Sequence, residues 1–174
     1  MIIKPFYELC PNMEAFIKFY TSINKKIILP IIGYELYCCD PACDCRLTTI
    51  MMYNAKTEKC LATIQYAWDN YDHYIKEKFV KSDIDHFING CLMMLEKRNS
   101  TTLAILTYFQ NWLAQDKENK KQLFVNRYQQ FKAAAKAKGF TSKQSDDCFL
   151  ENIGSMLKLG VFDDLIANKN KNFK

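Results

Sequence analysis

Hydrophobic and polar positions give a β texture between Ile27 and Ala67 and a helical period from about Asp69. Between Ile27 and Ala67 the β-branched texture predicts strands over Ile31 to Cys38, Arg46 to Tyr53, and Cys60 to Ala67. In the last of these, Cys60, Ala62, Ile64 and Tyr66 share one face. The polar stretch Asn54 to Lys59 separates the second strand from the third, and a cysteine-rich turn separates the first from the second. A three-stranded antiparallel meander is the simplest assembly. Ahead of it, Met13 to Tyr20 has a helical composition, with Asn12 placed to cap.

From about Asp69 the helical period takes over. Ile84, Phe87, Ile88, Cys91, Leu92 and Leu95 fall on one stripe, and Ser82 with Asp85 resembles a capping box. A second helix is predicted from Ser100, burying Leu103, Leu106, Phe109, Trp112 and Leu113. A third carries Phe124, Tyr128, Phe131 and Ala135 and stops at Gly139, a C′ residue by type and position. A fourth begins near Ser145 to Asp147, carries Phe149, Ile153, Met156 and Leu157, and ends at Gly160. A short helical piece from Val161 to Ile166 precedes the basic tail Asn168 to Asn172. Strands followed by helices predict an α+β fold: a small antiparallel β-meander with a cysteine metal knuckle, then an antiparallel helical bundle. The expected organisation is a single domain over residues 1–174. Residues 1–68 form its N-terminal helix and meander, and residues 69–174 its helical half.

Length and composition agree with that plan. A chain of 174 residues, 49% hydrophobic and 25% charged, is long enough for one core and too apolar for disorder. The net charge of +5 is mild and spread out, so nucleic acid is not the expected partner. Lys132, Lys136 and Lys138 with Arg127 offer one basic helix face, which also reads as a plain solvated face. No run approaches the ~20 apolar residues of a membrane span. The apolar run from Ile27 to Ile32 is short and interrupted by Pro30. Met1 to Pro5 lacks the features of a secretory signal, which predicts a cytoplasmic protein with reduced thiols; export by a signal-independent route would leave the same sequence. Gly-rich phosphate loops, His-Glu-x-x-His and Gly-x-Ser-x-Gly are absent.

The strongest chemical signal is the turn Tyr37-Cys38-Cys39-Asp40-Pro41-Ala42-Cys43-Asp44-Cys45-Arg46, with four of the eight cysteines. Tetrahedral zinc needs short loops that gather thiolates at a Zn–S distance of about 2.3 Å. Cys43 and Cys45 supply two ligands from one turn, and Cys38 or Cys39 a third. Neighbours in extended chain point to opposite faces, so only one of that pair binds. Cys10, next to Pro11, is the first choice for the fourth ligand, with Cys39, Cys60 and His73 as alternatives. Cys91 and Cys148 lie on apolar helix faces and read as core thiols. Asp40, Asp44 and Arg46 make the cysteine turn polar, which core packing explains poorly. Nucleophilic or redox chemistry there is disfavoured, because the flanking aspartates oppose a thiolate.

His86 lies off the apolar stripe of its helix and reads as solvent-facing. Asp83 with Asp85, and Asp146 with Asp147, fall at helix starts, where capping accounts for them. In the aromatic and acidic stretch from Tyr66 to Tyr74, Trp68, Tyr71 and Tyr74 form a candidate interaction surface, or else a junction sealing sheet against helix.

The signature Tyr37-Cys38, Asp40-Pro41, Cys43-Asp44-Cys45-Arg46, followed by Leu61-Ala62-Thr63-Ile64-Gln65-Tyr66, resembles a family of uncharacterised bacterial proteins. Those proteins share a Tyr-Cys-x-Asp-Pro-x-Cys-Asp-Cys-Arg zinc-knuckle-like motif ahead of a β-hairpin. Leu103 to Phe109, Asp116, Arg127-Tyr128 and Phe131-Lys132 resemble its helical pair. The resemblance covers about half the chain and implies that Cys38, rather than Cys39, is the ligand beside Cys43 and Cys45. Leu47 stands where a second basic residue is frequent, and the C-terminal zinc tail of some members is missing here. The expectation is a zinc-stabilised protein-interaction module without catalysis, holding one zinc per chain and binding a protein partner. The alternative is a metal- or thiol-dependent enzyme using the cysteine cluster; the third reading is a weak nucleic-acid binder.

Overall fold

A computed structural model describes residues 3–23, 27–81, 84, 92–93 and 100–141. Strand β1 (Ile3–Pro5) leads into the short helix α1 (Phe6–Leu9), and strands β2 (Ile17–Ile23), β3 (Ile27–Cys38), β4 (Leu47–Asn54) and β5 (Cys60–Ala67) follow. Helix α2 (Tyr71–Lys76), strand β6 (Leu92–Met93) and helices α3 (Ser100–Ala114) and α4 (Lys117–Ala137) complete the described elements. The fold is α+β, with a six-stranded sheet among the described residues in which every pairing is antiparallel.

The expected meander is present as β3, β4 and β5. Along β4, Thr48, Ile50, Met52 and Asn54 are buried while their neighbours are only half covered, the signature of a strand with one face on a core. β3 starts four residues earlier than predicted because it also pairs with β2, from Ile23 opposite Ile27 to Ile17 opposite Gly33. That pairing overturns the helix expected over Met13 to Tyr20. Helical composition is a weak prior, and the hairpin gives Ile17 and Thr21 a buried face that an isolated helix would lack. Gly33 makes the close approach possible. A Cβ built there would stand 2.8 Å from Ile17 Cγ2 and 3.1 Å from Ile50 Cγ2.

The helix expected from Ile84 to Leu95 lies mostly outside the described residues, as do the fourth helix, Cys91, Cys148, His86 and the basic tail. Where it is described it differs at its end: Leu92 and Met93 form β6, paired with Gln65 and Ile64. Helix α3 forms where expected but rotated. Thr102, Ile105, Phe109 and Leu113 are buried, and Leu103 is 48% exposed, because the helix is aligned by its packing on β2 and β5 rather than by its own apolar stripe. Helix α4 buries Phe124, Tyr128, Phe131 and Ala135 as predicted, and Gly139 follows it at φ 77°. It rests on β3 and α1. No helix among the described residues is long and apolar enough to cross a membrane.

Between sheet and helices lies an aromatic core. Tyr37 is its hub, with ring centroids 5.5 Å from Phe131, 6.0 Å from Phe6, 6.1 Å from Tyr128 and 6.4 Å from Trp68. Beside it sits a buried ion pair. Arg127 Nε meets Glu35 Oε1, and Arg127 Nη2 donates to Glu35 Oε2 at 3.4 Å. The guanidinium lies 4.0 Å from the ring centre of Phe6 and 5.0 Å from that of Phe16. Such stacking suits the weakly hydrated, planar arginine cation.

Candidate metal centre

The cysteine turn is built from local chemistry. Asp40 Oδ1 accepts the amide of Ala42 at 2.9 Å, and the amide of Cys43 donates to the Asp40 carbonyl at 3.2 Å, so the chain reverses directly after β3. Pro41 restricts that reversal. Arg46, at φ 44°, then turns the chain into β4. The result brings the Sγ atoms of Cys38, Cys43 and Cys45 to within 4.8 Å of one another. Cys38 is 3% exposed, Cys45 is 2% exposed, and Cys43 is half-buried. Tetrahedral thiolates about one metal sit roughly 3.8 Å apart, as Zn–S bonds of about 2.3 Å require, so a small closure of this group suffices.

The three thiols form a mutually hydrogen-bonded set. Cys38 is held well below the ordinary thiol range because the Cys43 and Cys45 thiols bond to it, with burial opposing and Lys132 helping. Cys43 and Cys45 are pushed up for the reciprocal reason, their bonds to Cys38, and burial adds to the effect. Three soft sulfur donors gathered in one place suit a thiophilic cation.

Side chains distant in sequence grip the turn through its carbonyls. Lys132 Nζ donates to the Asp40 carbonyl, Tyr128 Oη to that of Cys43 at 2.9 Å, His73 Nε2 to that of Asp44 at 2.9 Å, and Tyr74 Oη to that of Arg46 at 2.9 Å. Arg46 in turn pairs with Asp44, at 2.7 Å, and with Asp69. The turn is thereby the meeting point of sheet, α2 and α4. Nothing local in the sequence marks Tyr128, Lys132 or His73 for this work, since each acts across a separation of 29 to 92 residues.

Of the proposed ligands, Cys38, Cys43 and Cys45 come together and Cys10 does not join them. Cys10 caps α1 through its amide, which donates to the Phe6 carbonyl at 2.9 Å, and it sits near Arg127 and Lys138, whose charges partly offset the burial that raises its thiol. Cys39 is buried but does not join the three sulfurs, and burial together with the Cys38 charge pushes its thiol up to about 11. Cys60 pairs with Tyr53, while the cysteine turn adjoins the opposite end of β4 at Leu47. His73 is beside the turn, but its Nε2 is engaged with the Asp44 carbonyl.

Of the two readings of the aromatic stretch, the junction is the one that fits the burial. Trp68 is 6% exposed and Tyr74 is fully buried, with Trp68 stacked on Phe124 and Tyr74 bonded to the turn; Tyr71 is half-buried beside them. These aromatics seal the junction between sheet and helices.

Comparison with family models, with curated proteins and with solved structures gave no match.

Proposed function

We propose that Cys38, Cys43 and Cys45 hold one zinc ion per chain and that the protein is a zinc-stabilised protein-interaction module without catalysis. The convergence of three mostly buried sulfurs in one turn carries this reading. An all-thiolate donor set favours zinc over harder cations. The neighbouring polar groups support a structural role, because His73, Tyr128 and Lys132 are directed at carbonyls of the turn. In this proposal the ion locks the turn that those side chains grip, and so ties α2 and α4 to the sheet. The likeness to the bacterial zinc-knuckle-like family belongs to the same proposal. With Trp68 and Tyr74 internal, the partner-facing surface lies elsewhere on the molecule.

Three sulfurs also favour a second reading, a catalytic metal with an open fourth position. Elemental analysis of purified protein, followed by cobalt substitution, tests both. The structural reading predicts about one zinc per chain and a cobalt spectrum of a closed tetrahedral thiolate site that added small anions leave unchanged. Anion-sensitive bands favour the enzyme. Metal-free protein in which all three thiols react freely refutes both.

A further inference from the structure

The face of the sheet opposite the helices carries a second piece of chemistry. Ile31, Gly33, Glu35 and Tyr37 of β3 point into the core, so Ile32, Tyr34 and Leu36 point out; Met51 and Tyr53 of β4 do likewise. Pairing of β1 with the end of β3 brings Tyr7, just past β1, to the same place. The rings of Tyr7 and Tyr34 lie 5.9 Å apart at 75°, and those of Tyr34 and Tyr53 lie 5.7 Å apart at 72°. Successive rings near right angles are arranged as the walls of a cage are. They line a cavity of about 570 Å³ with mostly apolar neighbours.

The charge lining that cavity is of one sign. In a chain of net charge +5, Glu58 is the single formally charged residue on the cavity wall among the described residues. It sits at the rim on the β4–β5 turn, at φ 55°, where its amide donates to the Asn54 carbonyl at 2.8 Å. The Asn54 side chain also accepts the amide of Lys56 at 2.9 Å, which stiffens the turn. An anion would find no lysine or arginine among the described residues of the wall. A cation would find three aromatic rings and one carboxylate.

We propose that Tyr7, Tyr34, Tyr53 and Glu58 form a binding site for an organic cation of the quaternary or methylated ammonium class. Weak hydration lets such a cation leave water for aromatic faces, while Glu58 offsets its charge at the rim. The site is separate from the cysteine turn and does not depend on a metal.

The probes are choline and its uncharged carbon isostere, 3,3-dimethylbutan-1-ol, titrated into the full chain with backbone-amide NMR as the readout. Choline is expected to shift the Tyr34, Tyr53 and Glu58 amides and to bind at least about tenfold more tightly than the isostere. Tyr53→Phe keeps a ring and retains binding. Tyr53→Leu weakens it by about tenfold, and Glu58→Gln, an exposed change that leaves the core alone, by roughly two- to fivefold. Equal binding of the two probes reduces the site to a greasy groove and overturns the proposal. So does the absence of choline shifts up to about 50 mM, a concentration at which even a very weak site is occupied. A self-association that covers these rings and excludes choline overturns it as well.

Discussion

The two regions that fasten α4 to the sheet do so by opposite means. At one, Phe124, Tyr128 and Phe131 enter an aromatic core and Arg127 pairs with buried Glu35, so side chain meets side chain. At the other, Tyr128 and Lys132 reach the cysteine turn and bond its backbone carbonyls, while the side chains of that turn face one another. The first region depends on burial and shape. The second is a short turn whose cysteines lie at the edge of that core, so its stability also draws on capped carbonyls and on whatever the sulfurs hold. Perturbing one region should therefore leave the other recognisable.

The largest effect is expected from the core. Arg127→Met leaves Glu35 buried without its cation and should cost about 3–5 kcal/mol at neutral pH by urea unfolding. Burial already raises the Glu35 carboxyl above its usual range, with the Arg127 charge opposing. Removing that charge raises it further. A folded-state value above the unfolded one means stability is lost as pH rises from the unfolded value through the folded one, and is regained on acidification. The deficit of the variant should shrink as pH falls toward the ordinary glutamate range, and Glu35→Gln added to Arg127→Met should recover much of it. A deficit independent of pH would remove the ion pair from the account.

Next is metal removal. Chelation should lower stability by about 4 kcal/mol if the free ion had been present at a thousandfold excess over its dissociation constant. Hydrogen exchange should accelerate over residues 39–46 and α2 and change little in β3 and β4. Uniform acceleration would break the distinction between the regions. Gly33→Ala should follow, at about 1–3 kcal/mol, because the added Cβ drives into Ile17 and Ile50. Ile17→Val should relieve part of the strain, a coupling visible in a double-mutant cycle of denaturation midpoints.

The smallest change in stability sharpens the comparison most. Tyr128→Phe keeps the ring in the core and removes only the bond to the Cys43 carbonyl, at a cost of about 1 kcal/mol. Its larger consequence should be in the other region, with metal affinity down by about tenfold in a competition titration. Unchanged metal affinity would show that the clamp and the sulfurs act independently.

Much of this was readable without coordinates. Strand β4 was visible in the β-branched run from Arg46 to Tyr53, β5 in the alternation of Ala62, Ile64 and Tyr66, and α4 in the spacing of Phe124, Tyr128, Phe131 and Ala135 before Gly139. Other features were hidden for a common reason. Met13 to Tyr20 contains both a weak helical period and an alternation, and only the partner strand decides between them. Leu103 fits an ideal helical stripe, yet packing on the sheet buries Ile105 and Thr102 instead. Cys10 lies in a turn next to a proline and looked as eligible as any thiol, but α1 carries it toward Arg127 rather than the cluster.

The sequence by itself determined the parts whose physics is local: the period of each apolar stripe, the reversal at Asp40-Pro41, and the spacing that lets Cys38, Cys43 and Cys45 share one turn. Tertiary structure alone decided what crosses long separations. It joined Glu35 to Arg127, set His73, Tyr128 and Lys132 on the carbonyls of the cysteine turn, and stood Tyr7, Tyr34 and Tyr53 around one cavity. Periodicity along a chain says which face of an element is apolar but is silent on which distant face it meets, because that choice is made by the packing of the whole core.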